Sequence, residues 1–477
     1  MRRLTLTAAA ALVAGTAVTN DATAAGLYSS DRGVRPLGRG GAFVAGADDL
    51  GAIWYNPAGI VDAPSGLLAD ATWLHYTSDF TRQSLTTTAS GTTYVQTFPR
   101  VGGTTPLLPI PTLAGSLRFG DRDQYALAVG LFAPMTPIST YPQTLDSGAP
   151  APQRYSLISL DGSALVVTGA WFAWKPVEEL RIGAGFQMMV GTFRTTVDFS
   201  ACPPDNLVCA GEAPAYDAYS QLDVGPIFSP SGNLGAIYQP VHAVRIGASA
   251  QAPFYVDAPA TVSVRLPTAV EFDDASQRGN QARVKFELPP VVRLGIEVRP
   301  LDEDHDLRVE LAYVREFWSV HQSIDITPTN ITLVGVTGFP SPFAVSPISI
   351  PRGGRDSDSV RLGGEYAFPM DADYRLQVRA GVSYETSGIK EAYVSPLTID
   401  SDKVAASVGA GLHIGRRWRL DAVYSHVFAS DVTVTPQEAA VPRVNPVQGN
   451  PTQTAAVNGG QYSSSADAIG LGVQVLF

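Results

Sequence analysis

The side chains that could do chemistry are few, and their spacing does not suit catalysis. The six histidines, His75, His242, His305, His321, His413 and His426, show no HExxH pairing for a metal. No GxSxG nucleophile elbow is present. His413 shares strand parity with Ser407, but parity alone does not build a triad. The run Asp302-Glu303-Asp304-His305-Asp306 offers hard oxygen ligands for calcium and reads better as a solvated turn, as do Asp356 and Asp358. No catalytic group, metal or cofactor is therefore expected. Cys202 and Cys209 bracket the segment CPPDNLVC with no further Cys or His beside them, which favours a disulfide over half of a metal site. The remaining chemistry is charge. Arg283, Lys285, Arg293, Arg299, Arg308, Arg361, Arg375 and Arg379 are expected to face one lumen with Glu287, Glu297, Glu310, Glu365 and Glu385, all on consecutive predicted strands 8 to 11. Arg293, Arg361 and Arg379 are candidates either to hold an anionic head group or to anchor another segment by ion pairing.

Such charges need elements that turn them all one way. The chain has 477 residues, 45% hydrophobic and only 16% charged, with a mean hydropathy of +0.06. Soluble proteins carry about 25% charged residues. Beyond the N-terminus, no apolar run is long enough for a spanning helix. A closed barrel resolves the conflict, because each strand is apolar on one face only. Arg2 and Arg3, an uncharged stretch from Leu4 to Val18, and Ala22-Thr23-Ala24 form a secretory signal over residues 1–24. Cleavage takes the formal charge from −11 to about −12, which argues against nucleic acid as a partner.

From residue 66 the hydrophobic period is two. Val284, Phe286, Leu288, Pro290, Val292, Leu294, Ile296 and Val298 form one apolar row, read here as facing lipid. The same alternation recurs at 180–188, 307–313, 376–384 and 469–477. Roughly fourteen strands follow, an even number as bacterial outer-membrane barrels require. Short connections such as 120–123, 175–179, 369–373 and 415–417 alternate with long Pro/Ser/Thr/Gly-rich ones. The fold class is thus an all-β transmembrane antiparallel barrel over 66–477, placed in the bacterial outer membrane. Trp73, Trp171, Trp318 and Trp418 are assigned to lipid contact or interfacial girdles. Residues 25–65 do not alternate, and a compact segment of that size could fill the lumen as a hatch.

Three stretches here carry a family resemblance: Ala25-Gly26-Leu27, Gly46-Ala47-Asp48-Asp49 with Ala52-Ile53-Trp54-Tyr55, and Asn56-Pro57-Ala58-Gly59. They resemble the outer-membrane long-chain fatty-acid and aromatic-hydrocarbon transport family of the FadL/TodX type. A weaker likeness lies at Gly130-Leu131-Phe132-Ala133-Pro134. The resemblance implies fourteen strands, an N-terminal hatch, and passive uptake of a hydrophobic small molecule with lateral exit near the third strand. Asp48, Asp49, Asn56, Pro57, Ala58 and Gly59 are the expected hatch residues. Independently of the family, Asn56 suits an N-cap and Pro57 a first helical position, with Gly59 ending the turn. Trp54, Tyr55, Phe132 and Phe193 are expected to touch ligand, and Gly130 and Pro134 to open the wall. The partners expected are a fatty acid or hydrocarbon and outer-membrane lipid, with the chain acting as a monomer. The competing readings are a general polar-solute pore and a structural or adhesive barrel.

Overall fold

The computed structural model describes residues 31–87, 90–134, 138–203, 212–300, 306–370, 373–452 and 454–477. The signal segment, the mature start at Ala25, Cys209, the acidic residues 302–304 and His305 lie outside these residues.

Alternation of apolar and polar side chains produces fourteen barrel strands. They are β1 (Gly66–Thr87), β2 (Val101–Thr104 and Pro109–Phe119), β3 (Tyr125–Phe132), β4 (Ala164–Val177), β5 (Leu180–Ser200), β6 (Asp217–Val241) and β7 (Val244–Gln251 and Phe254–Arg265). There follow β8 (Gln281–Leu288 and Val291–Val298), β9 (Asp306–Glu316 and Ser323–Pro328) and β10 (Ile348–Pro351 and Ser357–Pro369). The last four are β11 (Tyr374–Glu385), β12 (Lys403–Ile414), β13 (Trp418–Ala429) and β14 (Gly460–Leu476). Each pairs antiparallel with its sequence neighbour. The ring closes where β1 meets β14, from Gly66 opposite Leu476 to Arg82 opposite Gly460. Closure leaves no exposed edge, which a bilayer requires. The outward rows remain exposed in the isolated chain: Leu294, Ile296, Leu311, Val378, Val382, Ile469 and Leu471. A cation there would cost about 2–4 kcal/mol at the bilayer midplane.

The tight turns at one end are made by residues such as Gly120 and Gly415, with φ of 93° and 58°, a region glycine enters without strain. By the topology of such barrels, this end is periplasmic and the long loops are extracellular.

Residues 31–65 lie inside the ring. They form two short helices, Val34–Gly38 and Ala52–Tyr55, and a 3-10 turn, Pro57–Val61. Such helices are too short to be stable alone, so wall contacts must hold them. Inward glycines let the segment sit against the wall. A Cβ on Gly235 would fall 2.0 Å from Asn56 Oδ1, and one on Gly183 would fall 2.4 Å from the Pro57 carbonyl carbon.

Candidate functional site

The site is made by a change of phase in three adjacent strands. In the periplasmic half of β6, Leu234 and Tyr238 face lipid while Asn233 and Ile237 face inward. Above Gly225-Pro226 the parity reverses, and Leu222 and Val224 are buried inside. The ladder to β5 shifts by one residue at this level, as a β-bulge does. In β7, Arg245 faces inward and Ile246 outward; beyond Ala252-Pro253, Val256 faces inward and Tyr255 outward. In β8, Arg293 is inward and Leu294 outward, while above Pro289-Pro290 it is Val284 that is buried. Proline lacks the N–H that would hold the ladder in phase, so the break falls there. One unbroken apolar row in the sequence thus faces lipid below and the lumen above.

This corrects the reading of residues 283–299 as a single uninterrupted strand. Val284, Phe286 and Leu288 line the lumen rather than lipid. Arg283 and Lys285, and with them the parity of Glu287, face outward, where Arg283 and Lys285 pair with Asp257. Trp171 and Trp318 are also corrected. Both are buried, and their indole N–H groups donate to Asn233 Oδ1 at 3.0 Å and Glu316 Oε2 at 2.8 Å.

The reversed rows enclose an apolar cavity of about 180 Å³ in the extracellular half. Leu222, Val262, Val284, Phe286, Ile326 and Ile348 are among its wall residues. Leu397 and Val444 close it from the long loops. That loop cover is fastened by Ser200 N–H donating to Val444 O at 3.0 Å and by Asn445 Nδ2 donating to Cys202 O at 2.8 Å. Cys202 itself is buried; its expected partner Cys209 lies outside the described residues.

Below the cavity, charge fixes the N-terminal segment to the wall. Arg35 reaches Asp48 at 2.7 Å, Asp49 at 3.2 Å and Glu365 at 2.9 Å. Arg39 reaches Glu297 at 2.8 Å and Glu310 at 3.3 Å. Glu310 also accepts from the backbone N–H groups of Val44, Ala45 and Gly46 at 2.6, 2.9 and 2.8 Å. Arg419 bridges Asp49 at 2.7 Å and Asp421 at 2.6 Å, and Arg308 pairs with Asp48. Burial alone would raise the pKa of Asp48; the guanidiniums of Arg308 and Arg35 overcome it and hold the carboxyl well below its usual range.

The residues singled out from sequence fall into separate places. Asn56 caps the 3-10 turn, its Oδ1 accepting from Ala58 N–H at 3.2 Å, and Pro57 occupies the first position. Its Nδ2 donates to Val44 O at 2.9 Å and to the wall at Ala236 O at 3.1 Å. Gly59 does not end the turn, which runs to Val61; a Cβ there would fall 1.6 Å from Ala47 O, so close packing explains the glycine. Among the expected ligand aromatics, Phe193 lines the cavity. Trp54 and Phe132 pack edge-on at 5.2 Å beneath it, and Tyr55 is buried against Phe43 at 5.8 Å. Arg361 pairs with Asp31 and Glu385, and Arg379 with Glu365 and Asp421, so both are engaged by carboxylates. The Arg293 guanidinium lies 4.7 Å from the Trp54 ring centre, within cation–π range. Asp356 and Asp358 pair with Arg315, each at 3.0 Å. Gly130 is not a kink. It stays in register between Ala114 and Gly169, and a Cβ on it would meet Ile53 at 2.9 Å. The strand ends two residues later, at Phe132, with Ala133 N–H still donating to Pro111 O at 3.0 Å, and farther on Thr140 forms isolated bridges to Thr104 and Ser159. Pro134, in this interval, lines the cavity.

A closed fourteen-stranded barrel with a filled lumen and an enclosed apolar chamber defines a class of outer-membrane transport protein. The family model described as outer membrane protein transport protein (OMPP1/FadL/TodX) matches residues 15–466, and the chain belongs to that family. Among solved structures, a Pseudomonas aeruginosa FadL homologue aligns over 95% of this chain and 100% of its own, with 17% identity and a TM-score of 0.67. The Ralstonia pickettii toluene transporter TbuX aligns over 94% and 99%, with 17% identity and a TM-score of 0.57. The Pseudomonas putida toluene transporter TodX aligns over 90% and 94%, with 15% identity and a TM-score of 0.57. At such identities these structures speak to the fold. A Neisseria meningitidis serogroup B outer membrane protein is 27% identical over 118 residues, a match spanning 24% of this chain and 23% of that protein.

Apart from Phe193 and Pro134, sequence reasoning missed the cavity wall, and with it the polar residues Arg352 and His321. The signal for the wall was present: proline interrupts three neighbouring strands at 226, 253 and 289–290.

Proposed function

We propose that this protein passively transports hydrophobic small molecules, fatty acids or hydrocarbons, across the outer membrane as a monomer. The observation that carries the reading is the enclosed apolar cavity on the extracellular side of the N-terminal segment. A dry cavity of about 150 Å³ suffices to take up benzene, so a chamber of this size accepts an aromatic ring or an alkyl segment. The ligand enters under the long loops and leaves when residues 31–65 act as a hatch and shift. One apolar cluster runs from Val284 and Leu222 down to Trp54 and Phe132, which supports a continuous route. The early end of β3 at Phe132, with Pro134 on the cavity wall just beyond it, supports a lateral exit between β3 and its neighbours. A polar-solute pore is disfavoured by the apolar wall and filled lumen. A hydrolase is disfavoured too, since Ser407 bonds to Ser425 at 3.3 Å and His413 to Gln377 at 3.2 Å.

Filling the cavity tests the reading. Val284→Trp is expected to weaken binding of a fluorescent alkyl probe roughly tenfold in nanodiscs, by overpacking the chamber. Unchanged binding with an intact barrel would place the ligand elsewhere.

A further inference from the structure

Arg352 stands in the connection between the two segments of β10, on the wall of the apolar cavity. It is 1% exposed. Its backbone N–H donates to Gln322 O at 2.8 Å, which sets it beside His321. Unlike Arg361 and Arg379, it has no carboxylate within ion-pair distance among the described residues. Its Nε and Nη2 are buried without an acceptor. Among the described residues that line the cavity there is no Asp or Glu. Burial lowers its pKa to about 10, so the guanidinium stays charged at neutral pH.

Nε and Nη2 form one edge of the guanidinium, the edge that grips a carboxylate with two parallel hydrogen bonds. A buried cation with that edge empty is costly until an anion arrives. His321 shapes the same end. Its Nδ1 lies 2.8 Å from Glu287 O, which can only accept, so the ring carries its proton there and leaves Nε2 as an acceptor. Nε2 is likewise buried without a partner. Burial, and then the Arg352 charge, push the His321 pKa down to about 4, so the imidazole is neutral and does not compete for the anion.

We infer that Arg352 is the head-group receptor of the cavity, and that the preferred ligand is a hydrophobic molecule bearing a single carboxylate rather than a neutral hydrocarbon. The carboxylate takes the Nε/Nη2 edge of Arg352, the tail lies among Val284, Phe286, Ile326 and Ile348, and His321 Nε2 accepts from a hydroxyl or ordered water next to the head. The inference rests on the transport reading above.

The test is competition of dodecanoate, dodecanol and dodecane against a fluorescent alkyl probe, using the full chain in nanodiscs. Wild-type protein is expected to prefer dodecanoate over dodecanol by roughly 10- to 100-fold, the range for a hydrogen bond to a charged group. Arg352→Met is expected to bring that ratio close to one, with Arg352→Lys between the two. Heat-modifiable migration on gels reports an intact barrel. Arg352→Gln, which keeps a hydrogen-bonding group without the charge, serves if the methionine variant does not assemble. A dodecanoate preference that survives removal of the Arg352 charge, or wild-type protein with no preference, would overturn the inference while leaving the transport reading standing. Wild-type protein that binds none of the three compounds would overturn both.

Discussion

Single arginines in the lumen divide into two electrostatic kinds, those paired with carboxylates, such as Arg35, and Arg352, whose Nε and Nη2 are buried without an acceptor. Arg35 is fully committed, facing Asp48, Asp49 and Glu365 together. Removing it strips Asp48, Asp49 and Glu365 each of one of two guanidinium partners, the others being Arg308, Arg419 and Arg379, and breaking a buried pair costs at most about 3–5 kcal/mol. Arg35→Met is therefore expected to loosen residues 31–65, seen as faster proteolysis of that segment and a higher single-channel conductance in planar bilayers. The pH dependence follows from Asp48. Its folded pKa is depressed, so its contribution is fully present above the unfolded value near 4 and is lost as pH falls through the folded value. The share of the hold that Asp48 supplies is thus expected to persist from pH 7 to about 4 and to fade only in stronger acid, read as a conductance difference between wild type and Asp48→Asn. A difference already lost at pH 6 would mean that Asp48 does not hold the segment.

Elements decide what each apolar row does. Alternation in the sequence marked the strands of the wall, the short turns and the lipid-facing residues of β9, β11 and β14. It could not mark where a row changes sides, because period two separates two faces without recording a reset of phase between them. In β8 the row from Val284 to Val298 is continuous in sequence, yet Pro289-Pro290 turns its first half into the cavity. Trp171 and Trp318 were misplaced because aromatic residues suit a lipid interface and a lumen equally well when their indole N–H finds a partner. Replacing the breakers without changing the residue count, as in Pro289→Thr with Pro290→Val, should restore one phase along β8, drawing Arg283 and Lys285 inward and turning Val284 and Phe286 out. The expected outcome is loss of alkyl-probe binding by at least roughly tenfold, since charged groups then face the ligand. Undiminished binding in a folded barrel would mean that the phase change does not build the site.

At the scale of the whole molecule, the segment and the cavity share one buried apolar cluster. The motif Asn56-Pro57-Ala58-Gly59 was legible as a capped turn, since cap and proline chemistry are local. Its anchors were not, because Glu310, Glu365 and Arg419 come from strands hundreds of residues away. The head-group candidate was hidden for the same reason. Arg352 differs from its neighbours only in lacking an acid opposite it, a property of the assembled barrel. A hatch that is held by so many wall contacts must either move as a unit or block passage altogether. Val34 of the segment and Val423 of the wall share one buried cluster, so a cysteine at each offers a tether at little change in volume. The decisive measurement is uptake of radiolabelled dodecanoate into vesicles carrying the Val34→Cys, Val423→Cys variant, oxidised and then reduced. A moving hatch demands that uptake falls to the protein-free rate when oxidised and recovers on reduction; uptake at the wild-type rate through the tethered barrel would contradict it.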